Sequence, residues 1–404
     1  MSRFIIISAI AASYFVFSIL LNSVGTVILQ SINSLGISKP EASTLEGFKD
    51  LSIAFVSFFV ASVIPRIGYK IALMIGLTIV TVACVTTPIV GSFLIIKLLF
   101  ACIGVSFALV KVSVYSIIGQ LSDSTKTHSS LLNTIEGIFM LGSLSGYWLF
   151  SAYVDPTAKE STDWLNVYYP LSMMALLTLL LIAVSPIAKP QSSDQNKSLL
   201  SGFVEMIKMS YQPLVLIFVV SVFLYVLIEQ GIGTWLPTFN NEVLQLPTDI
   251  SVQMTSIFAG ALALGRLLAG QILRHVNWYP FLNVCLLIIL LILPLTSNLP
   301  QVPVTSVLNA PAAAYLLPLI GLMMAPLYPV LNSVMLSNTP RSKHAAMTGL
   351  IVIFSALGGT TGSIITGFIF QEFGGTKAFY MSIVPMVLIF ISLYFFKNAT
   401  QKHH

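Results

Sequence analysis

Apolar stretches of about twenty residues recur along the whole chain, separated by short polar, glycine- or proline-containing breaks, and no other feature constrains its fold as tightly. A helix rises 1.5 Å per residue, so about twenty apolar residues cross the roughly 30 Å hydrocarbon core of a bilayer. Twelve such stretches fall near residues 4–30, 44–65, 70–91, 93–119, 129–154, 166–188, 213–239, 251–274, 277–297, 311–337, 344–371 and 376–397. Of the 404 residues 56% are hydrophobic and only 8% charged, against about 25% charged in soluble domains. This leaves no room for a sizeable water-filled catalytic domain. The run from Phe4 toward Gln30 is longer than a signal-peptide core and reads as a first transmembrane helix. The expected class is an all-α integral membrane protein.

The longest polar stretch, 189–212, divides the chain into two six-helix parts, residues 1–188 and 213–404, and reads as a cytoplasmic linker. With both termini in the cytoplasm, 12 of the 19 Lys and Arg residues fall on the inner side. Lys39, Lys49, Lys159 and Lys377 fall outside, where Asp155, Glu160, Asp163, Glu242 and Asp249 also gather. That asymmetry is the positive-inside bias, and the inverse topology is disfavoured. The net charge of +5 is spread over helix ends with no basic cluster, so it reports topology and not a nucleic-acid partner. Cys84, Cys102 and Cys285 lie singly inside apolar stretches, which predicts neither disulfide nor metal site. No phosphate-cradling Gly-x-x-x-x-Gly-Lys-Ser/Thr loop occurs, and His128, His275 and His344 sit in separate loops. Neither ATP-driven transport nor an enzyme fits that pattern.

Ionisable groups inside a bilayer cost several kcal/mol unless paired or hydrated, so the few present are functional candidates. Lys111 in the fourth stretch and Glu136 in the fifth fall at similar depth on antiparallel neighbours, which predicts an ion pair. Two roles are open to it: a static lock, or a switch in which substrate competes for Lys111 or a proton frees Glu136. Glu229 and Gln230 precede Gly231, Gly233 and Pro237, which suggests a broken, cavity-lining seventh helix, with Tyr225 and Trp235 available to stack on a substrate ring. In the tenth stretch Tyr328 and Asn332 are one turn apart, and Pro326 and Pro329 kink the helix. Asn22 offers an amide in the first helix. Glu46, Lys49 and Asp50 share a face at the outer end of the second and read as a solvated rim or outer gate.

Two six-helix parts joined by a polar cytoplasmic linker resemble the major facilitator superfamily. The short loop Pro65-Arg66-Ile67-Gly68-Tyr69-Lys70 stands where that superfamily has its gating motif, Lys97 followed by Gly104 matches its basic residue and glycine, and Gly265-Arg266 with Gly270 ends the eighth helix in the same style. Glu229 through Pro237 and Ala325-Pro326-Leu327-Tyr328-Pro329 are most similar to the fucose permease-like sugar:proton symporters. The resemblance implies two pseudo-symmetric bundles, a site lined by helices one, four, seven and ten, and alternating access. It implies a gating role for Arg66, Lys70, Arg266 and Arg274, a proton gradient as energy source without cofactor, and a monomer in a bacterial inner membrane. The first helix departs from that branch: it offers Tyr14, Ser18, Asn22 and Thr26 but no carboxylate. Substrate-contacting candidates are therefore Asn22, Lys111, Tyr225, Glu229, Gln230, Trp235, Tyr328 and Asn332, and proton-coupling candidates Glu136, Lys111 and Glu229. The expected function is proton-coupled import of a small hydrophilic solute, sugar-like or carboxylate-bearing. Export of drugs, siderophore-like compounds or metabolites is the alternative.

Overall fold

The computed structural model describes residues 2–122, 124–187, 206–297, 312–340 and 343–401, and among these residues the regular structure is entirely helical. Among the described residues, ten helices are long and apolar enough to cross a membrane. Thr44–Ile67 and Thr125–Ser151, at 24 and 27 residues, are also long enough but fall outside that apolar set. Together they correspond in order to the twelve expected stretches. The first stretch is broken: α1 (Ser2–Asn22) ends at Ser23 and α2 (Val24–Leu35) continues it to the left-handed Gly36, φ 64°. There follow the short α3 (Lys39–Ala42), α4 (Thr44–Ile67), α5 (Tyr69–Val90), α6 (Phe93–Leu121), α7 (Thr125–Ser151) and α8 (Tyr168–Val184). Ser92 and Ser124 start α6 and α7 by accepting the amides of Ile95 and Thr127, which satisfies donors that a helix start otherwise leaves open. In the loop after α7 the Thr157 hydroxyl and amide hold the Asp155 carboxylate below its usual range.

The second half runs α9 (Pro213–Glu242), α10 (Thr248–Ile272), α11 (Trp278–Ile292), α12 (Ala312–Met324), α13 (Leu327–Ser337), α14 (His344–Phe373), α15 (Gly375–Tyr380) and α16 (Ile383–Gln401). The tenth stretch breaks at Ala325-Pro326, as its prolines predict. The seventh does not break: α9 is one 30-residue helix with Pro237 inside it. Gly231 serves packing there, since a Cβ would lie 2.8 Å from the Thr366 hydroxyl of α14. Of the expected linker, residues 189–205 lie outside the described residues. Met206 and Met209 are buried, and Met206 Sδ fills the space where a Cβ on Gly349 would be.

Contacts divide the chain into two compact units, Met1–Gly36 with Leu45–Asn196, and Ile37–Thr44 with Lys197–His404. Each unit uses the same helix pairs in the same order. In the first, α1 packs along α7, the first and fifth spans, where a Cβ on Gly142 would lie 2.7 Å from the Phe15 carbonyl. In the second, α9 packs along α14, the seventh and eleventh spans, where a Cβ on Gly358 would lie 2.5 Å from the Phe223 carbonyl. Likewise Gly104 of α6 admits the backbone of α4, and Gly265 of α10 admits that of α12. Without a hydrophobic drive between helices in lipid, such small residues let backbones meet and supply dispersion contact. The short segment 37–44 packs within the second unit: Lys39 pairs with Glu242 at 3.1 Å and lies 5.3 Å from the Phe370 ring centroid. Both members of that pair are residues that the charge asymmetry assigned to the outer side.

Candidate functional site

In the second unit, polar and aromatic side chains converge from four helices. Arg266 of α10 donates to Glu229 Oε1 of α9 at 3.3 Å. Tyr225, one turn before Glu229, stacks on Tyr328 of α13 with ring centroids 5.7 Å apart and planes 29° from parallel. The Tyr328 hydroxyl lies 3.3 Å from that of Ser355 on α14. The Tyr225 hydroxyl, Arg266 Nε and Asn332 Oδ1 are buried without a well-formed hydrogen bond, although Tyr225 faces both Glu229 and Arg266 at longer reach. Leaving buried polar groups without good hydrogen bonds is costly, which makes this group a candidate place for a polar guest. Gln230, one residue on from Glu229, bonds within its own helix to Thr234 at 3.3 Å.

Two sequence expectations change here. Arg266, expected among inner-side gating contacts, is instead the partner of Glu229 within the spans. The partners are 37 residues apart and no local motif joins them; the available signal was one acid and one base stranded in adjacent apolar stretches. Trp235 lies away from the stack. It is fully buried, donates its indole N–H to the Ser363 carbonyl at 2.9 Å and packs on Phe370 at 5.5 Å, so it joins α9 to α14.

In the first unit Lys111 and Glu136 approach as their depths predict, but no direct ion pair forms. The Tyr115 hydroxyl donates to Glu136 Oε1 at 2.7 Å. The Lys111 ammonium lies 5.8 and 5.9 Å from the Phe107 and Tyr115 ring centroids, a cation–π arrangement with Glu136 still within electrostatic reach. Tyr115 follows Lys111 by one helical turn, so its ring occupies the line to α7 that the ammonium would need. Tyr14 of α1 closes the group, with ring centroids 6.2 Å from Phe107, 6.4 Å from Tyr115 and 5.7 Å from Phe139, and its buried hydroxyl has no partner. Lys111 keeps an exposed surface while its ammonium lies against these two rings. Asn22 turns its amide back to the Ser18 carbonyl at 2.8 Å.

The Glu46, Lys49 and Asp50 group is not a solvated rim. All three residues are buried, with the Lys49 ammonium 2.5 Å from Glu46 Oε1 and 3.4 Å from Asp50 Oδ1. Beside them Gly104, without a side chain, lets the backbone of α6 meet that of α4 at Lys49. Of the gating candidates, Lys70 donates to the carbonyls of Ala183 and Ser185 at 2.7 and 3.0 Å and so caps the end of α8. Arg274 is exposed in the turn after α10, and the side chain of Arg66 lies outside the described residues. Among the described residues no cluster of His, Cys, Asp and Glu could hold a metal ion.

Solved structures similar to this fold include several transporters. A bacterial homologue of the human lysosomal transporter Spinster, inward-facing and occupied, matches with a TM-score of 0.79 at 13% identity, covering 100% of this chain and 98% of its own. The nucleoside transporter NupG, as a mutant, matches with a TM-score of 0.77 at 13% identity over 96% and 98%. The E. coli fucose:proton symporter FucP matches with a TM-score of 0.60 at 13% identity over 98% and 99%. No curated protein matches the sequence. The family model for the Major Facilitator Superfamily matches residues 6–359. With its helical membrane fold and the family match over nearly its whole length, this chain belongs to the Major Facilitator Superfamily and is a membrane transporter, not an enzyme.

Proposed function

We propose that the protein imports a small, hydroxyl-rich, ring-containing solute together with a proton, by alternating access across twelve spans. The observation that carries this reading is the group in the second unit: the Glu229–Arg266 pair beside the Tyr225–Tyr328 stack, with Asn332 Oδ1 buried nearby on the same helix as Tyr328 and left without a hydrogen bond. A sugar-like or nucleoside-like ring matches that chemistry. Its hydroxyls supply donors and acceptors to Tyr225, Arg266 and Asn332, and its apolar face packs on an aromatic ring. For a carboxylate-bearing solute, the guanidinium of Arg266 supplies the matching charge-assisted donors within the second unit. Glu229 and Glu136 are the proton carriers in this reading, the first paired with Arg266 and the second hydrogen-bonded by Tyr115. Names of the neighbours support the solute class, since they include a nucleoside transporter, a D-xylose-proton symporter and a fucose:proton symporter. The protein resides, in this reading, as a monomer in a bacterial inner membrane with both termini in the cytoplasm.

The test is a thermal-shift screen of purified protein with L-fucose, D-xylose, uridine, glucuronate and citrate at two pH values. A solute at 100 times its Kd adds about 2.7 kcal/mol to folded-state stability, well within detection. Stabilisation by neutral rings that is lost in Asn332→Ala and Arg266→Met, followed by uptake into proteoliposomes along an inward proton gradient, is the expected outcome. Stabilisation confined to citrate and lost only in Lys111→Ala refutes the ring-solute reading. Uptake that ignores the pH gradient refutes proton coupling.

A further inference from the structure

Where α10 turns into α11, at one end of the second unit, cationic and aromatic side chains gather with no acid beside them. The Lys397 ammonium, near the end of α16, lies 4.5 Å from the ring centroid of Tyr279 in the first turn of α11. Trp278 joins the group, its ring centroid 5.8 Å from that of Tyr279 and 6.0 Å from that of Phe396. Arg274 is exposed in the turn that leads into α11, four residues before Trp278. Among the described residues the side chains of Arg274 and Lys397 have no hydrogen-bonded or ion-paired partner. The described acids of this unit are elsewhere. Glu229 pairs with Arg266 within the spans, Glu242, Asp249 and Glu372 lie at the opposite ends of α9, α10 and α14, and Glu41 is in the short segment that docks there through Lys39.

An ammonium laid on a ring face keeps N–H donors pointing away from the ring, and an exposed guanidinium presents parallel donors that match a phosphate. Tyr and Trp at the ends of membrane helices stand at the level of the lipid headgroups. Beyond that level the outer faces of the two packed helices are apolar. Val284, Leu287 and Leu291 follow one another three and four residues apart on α11, Phe395, Ile391 and Leu388 four and three apart on α16, and all six are exposed. Such faces meet acyl chains whatever their sequence, so they select no particular lipid; the unbalanced charge at their end does. We propose that this end of the second unit binds one anionic phospholipid, its phosphate held by Lys397 and Arg274 and its acyl chains lying along α11 and α16. A zwitterionic lipid brings its own ammonium beside the two cations and gains less. So held, the anionic lipid links the α10–α11 turn to α16 and stabilises the unit, whichever solute the protein moves.

The test uses the full-length protein, delipidated in a neutral detergent and titrated separately with dioleoylphosphatidylglycerol, dioleoylphosphatidylcholine and inorganic phosphate. Native mass spectrometry counts the bound lipid, and the unfolding temperature follows its effect on the folded state. Phosphatidylglycerol is expected to bind as one tightly held molecule and to raise the unfolding temperature more than phosphatidylcholine, whose acyl chains are the same. Each cation near a membrane surface contributes about fivefold in affinity, so Lys397→Gln and Arg274→Gln should each weaken phosphatidylglycerol binding about fivefold and the double variant about 25-fold. Lys377→Gln, a lysine also set against an aromatic ring but next to the opposite helix ends, should leave it unchanged. If Lys397→Gln does not fold once Tyr279 loses its cation, Arg274→Gln still decides. Equal binding of the two lipids, a preference for phosphatidylglycerol that survives the Arg274 and Lys397 variants, or a loss as large in Lys377→Gln overturns the proposal. Stabilisation by inorganic phosphate that equals that by phosphatidylglycerol overturns the lipid as the occupant.

Discussion

Replacing Arg266 by methionine keeps much of the side chain's length and apolar stem but strands Glu229 among helices. At 3.3 Å the charges attract by about 5 kcal/mol if the effective dielectric constant is about 20. Arg266 is 38% and Glu229 17% exposed, so solvent screens part of that attraction and the net coupling is expected at about 1–3 kcal/mol. The single variants Arg266→Met and Glu229→Gln, the double variant and the native protein form a thermodynamic cycle. Their unfolding, measured in one detergent, gives the coupling as the shortfall of the double variant's loss below the sum of the singles. Arg266→Met is expected to be the more damaging single change, because it leaves a bare carboxylate, while Glu229→Gln leaves an arginine that can reach toward polar neighbours. Saturating a solute that engages Arg266 should shrink the coupling, since the guanidinium then has a second partner. Losses that add within about 0.5 kcal/mol would refute the pair as an energetic unit, and with it the main support for placing the solute there.

Tyr115→Phe removes the hydroxyl between α6 and α7 and is expected to cost about 1.5–3 kcal/mol, the range for a hydrogen bond to a charged group, in the same unfolding assay. Tyr115→Ala should differ in kind, opening the line from Lys111 to Glu136 and allowing a direct ion pair that a Lys111→Ala, Tyr115→Ala double variant then detects as lost stability. Gly358→Val places a branched side chain where a Cβ already meets the Phe223 carbonyl at 2.5 Å. A loss of at least about 1–3 kcal/mol, or failure to fold, is expected, whereas Gly137→Val, which meets nothing within 4 Å, should be near neutral in a side-by-side expression and thermal-stability comparison.

The fold was legible because bilayer thickness converts directly into sequence length, so apolar runs mark the helices with little interference. Lys111, Glu136 and Glu229 were legible for the same reason, as charges in apolar surroundings stand out whatever their partners. Partnership was not legible. Lys111 and Glu136 have matching depth, yet one turn of helix put Tyr115 between them, and depth arithmetic carries no information on rotation about the axis. Arg266 looked like the end of a loop motif because Gly265 and Gly270 flank it, and only the packing of α10 on α9 brings it to Glu229. The triad on α4 looked wet because it lies beside a loop. Its burial comes from tertiary packing, including the close approach of α6 to α4 at Gly104, about fifty residues later, and local sequence carries no mark of that.

The glycine contacts that join α1 to α7 and α9 to α14 also fix where each unit can bend. A carbonyl seated where a Cβ would otherwise stand leaves no slack, so each pair behaves as one double-walled beam that resists both sliding and rolling. Compliance is left to the places where the hydrogen-bond ladder is interrupted, Ser23 between α1 and α2 and Ala325-Pro326 between α12 and α13. Each interruption divides a stretch that shares a unit with a beam, α1 being itself part of one. Within each unit, strain introduced at a bound solute or proton is therefore taken up at a joint one side chain wide, while the beams carry it undiminished along their length.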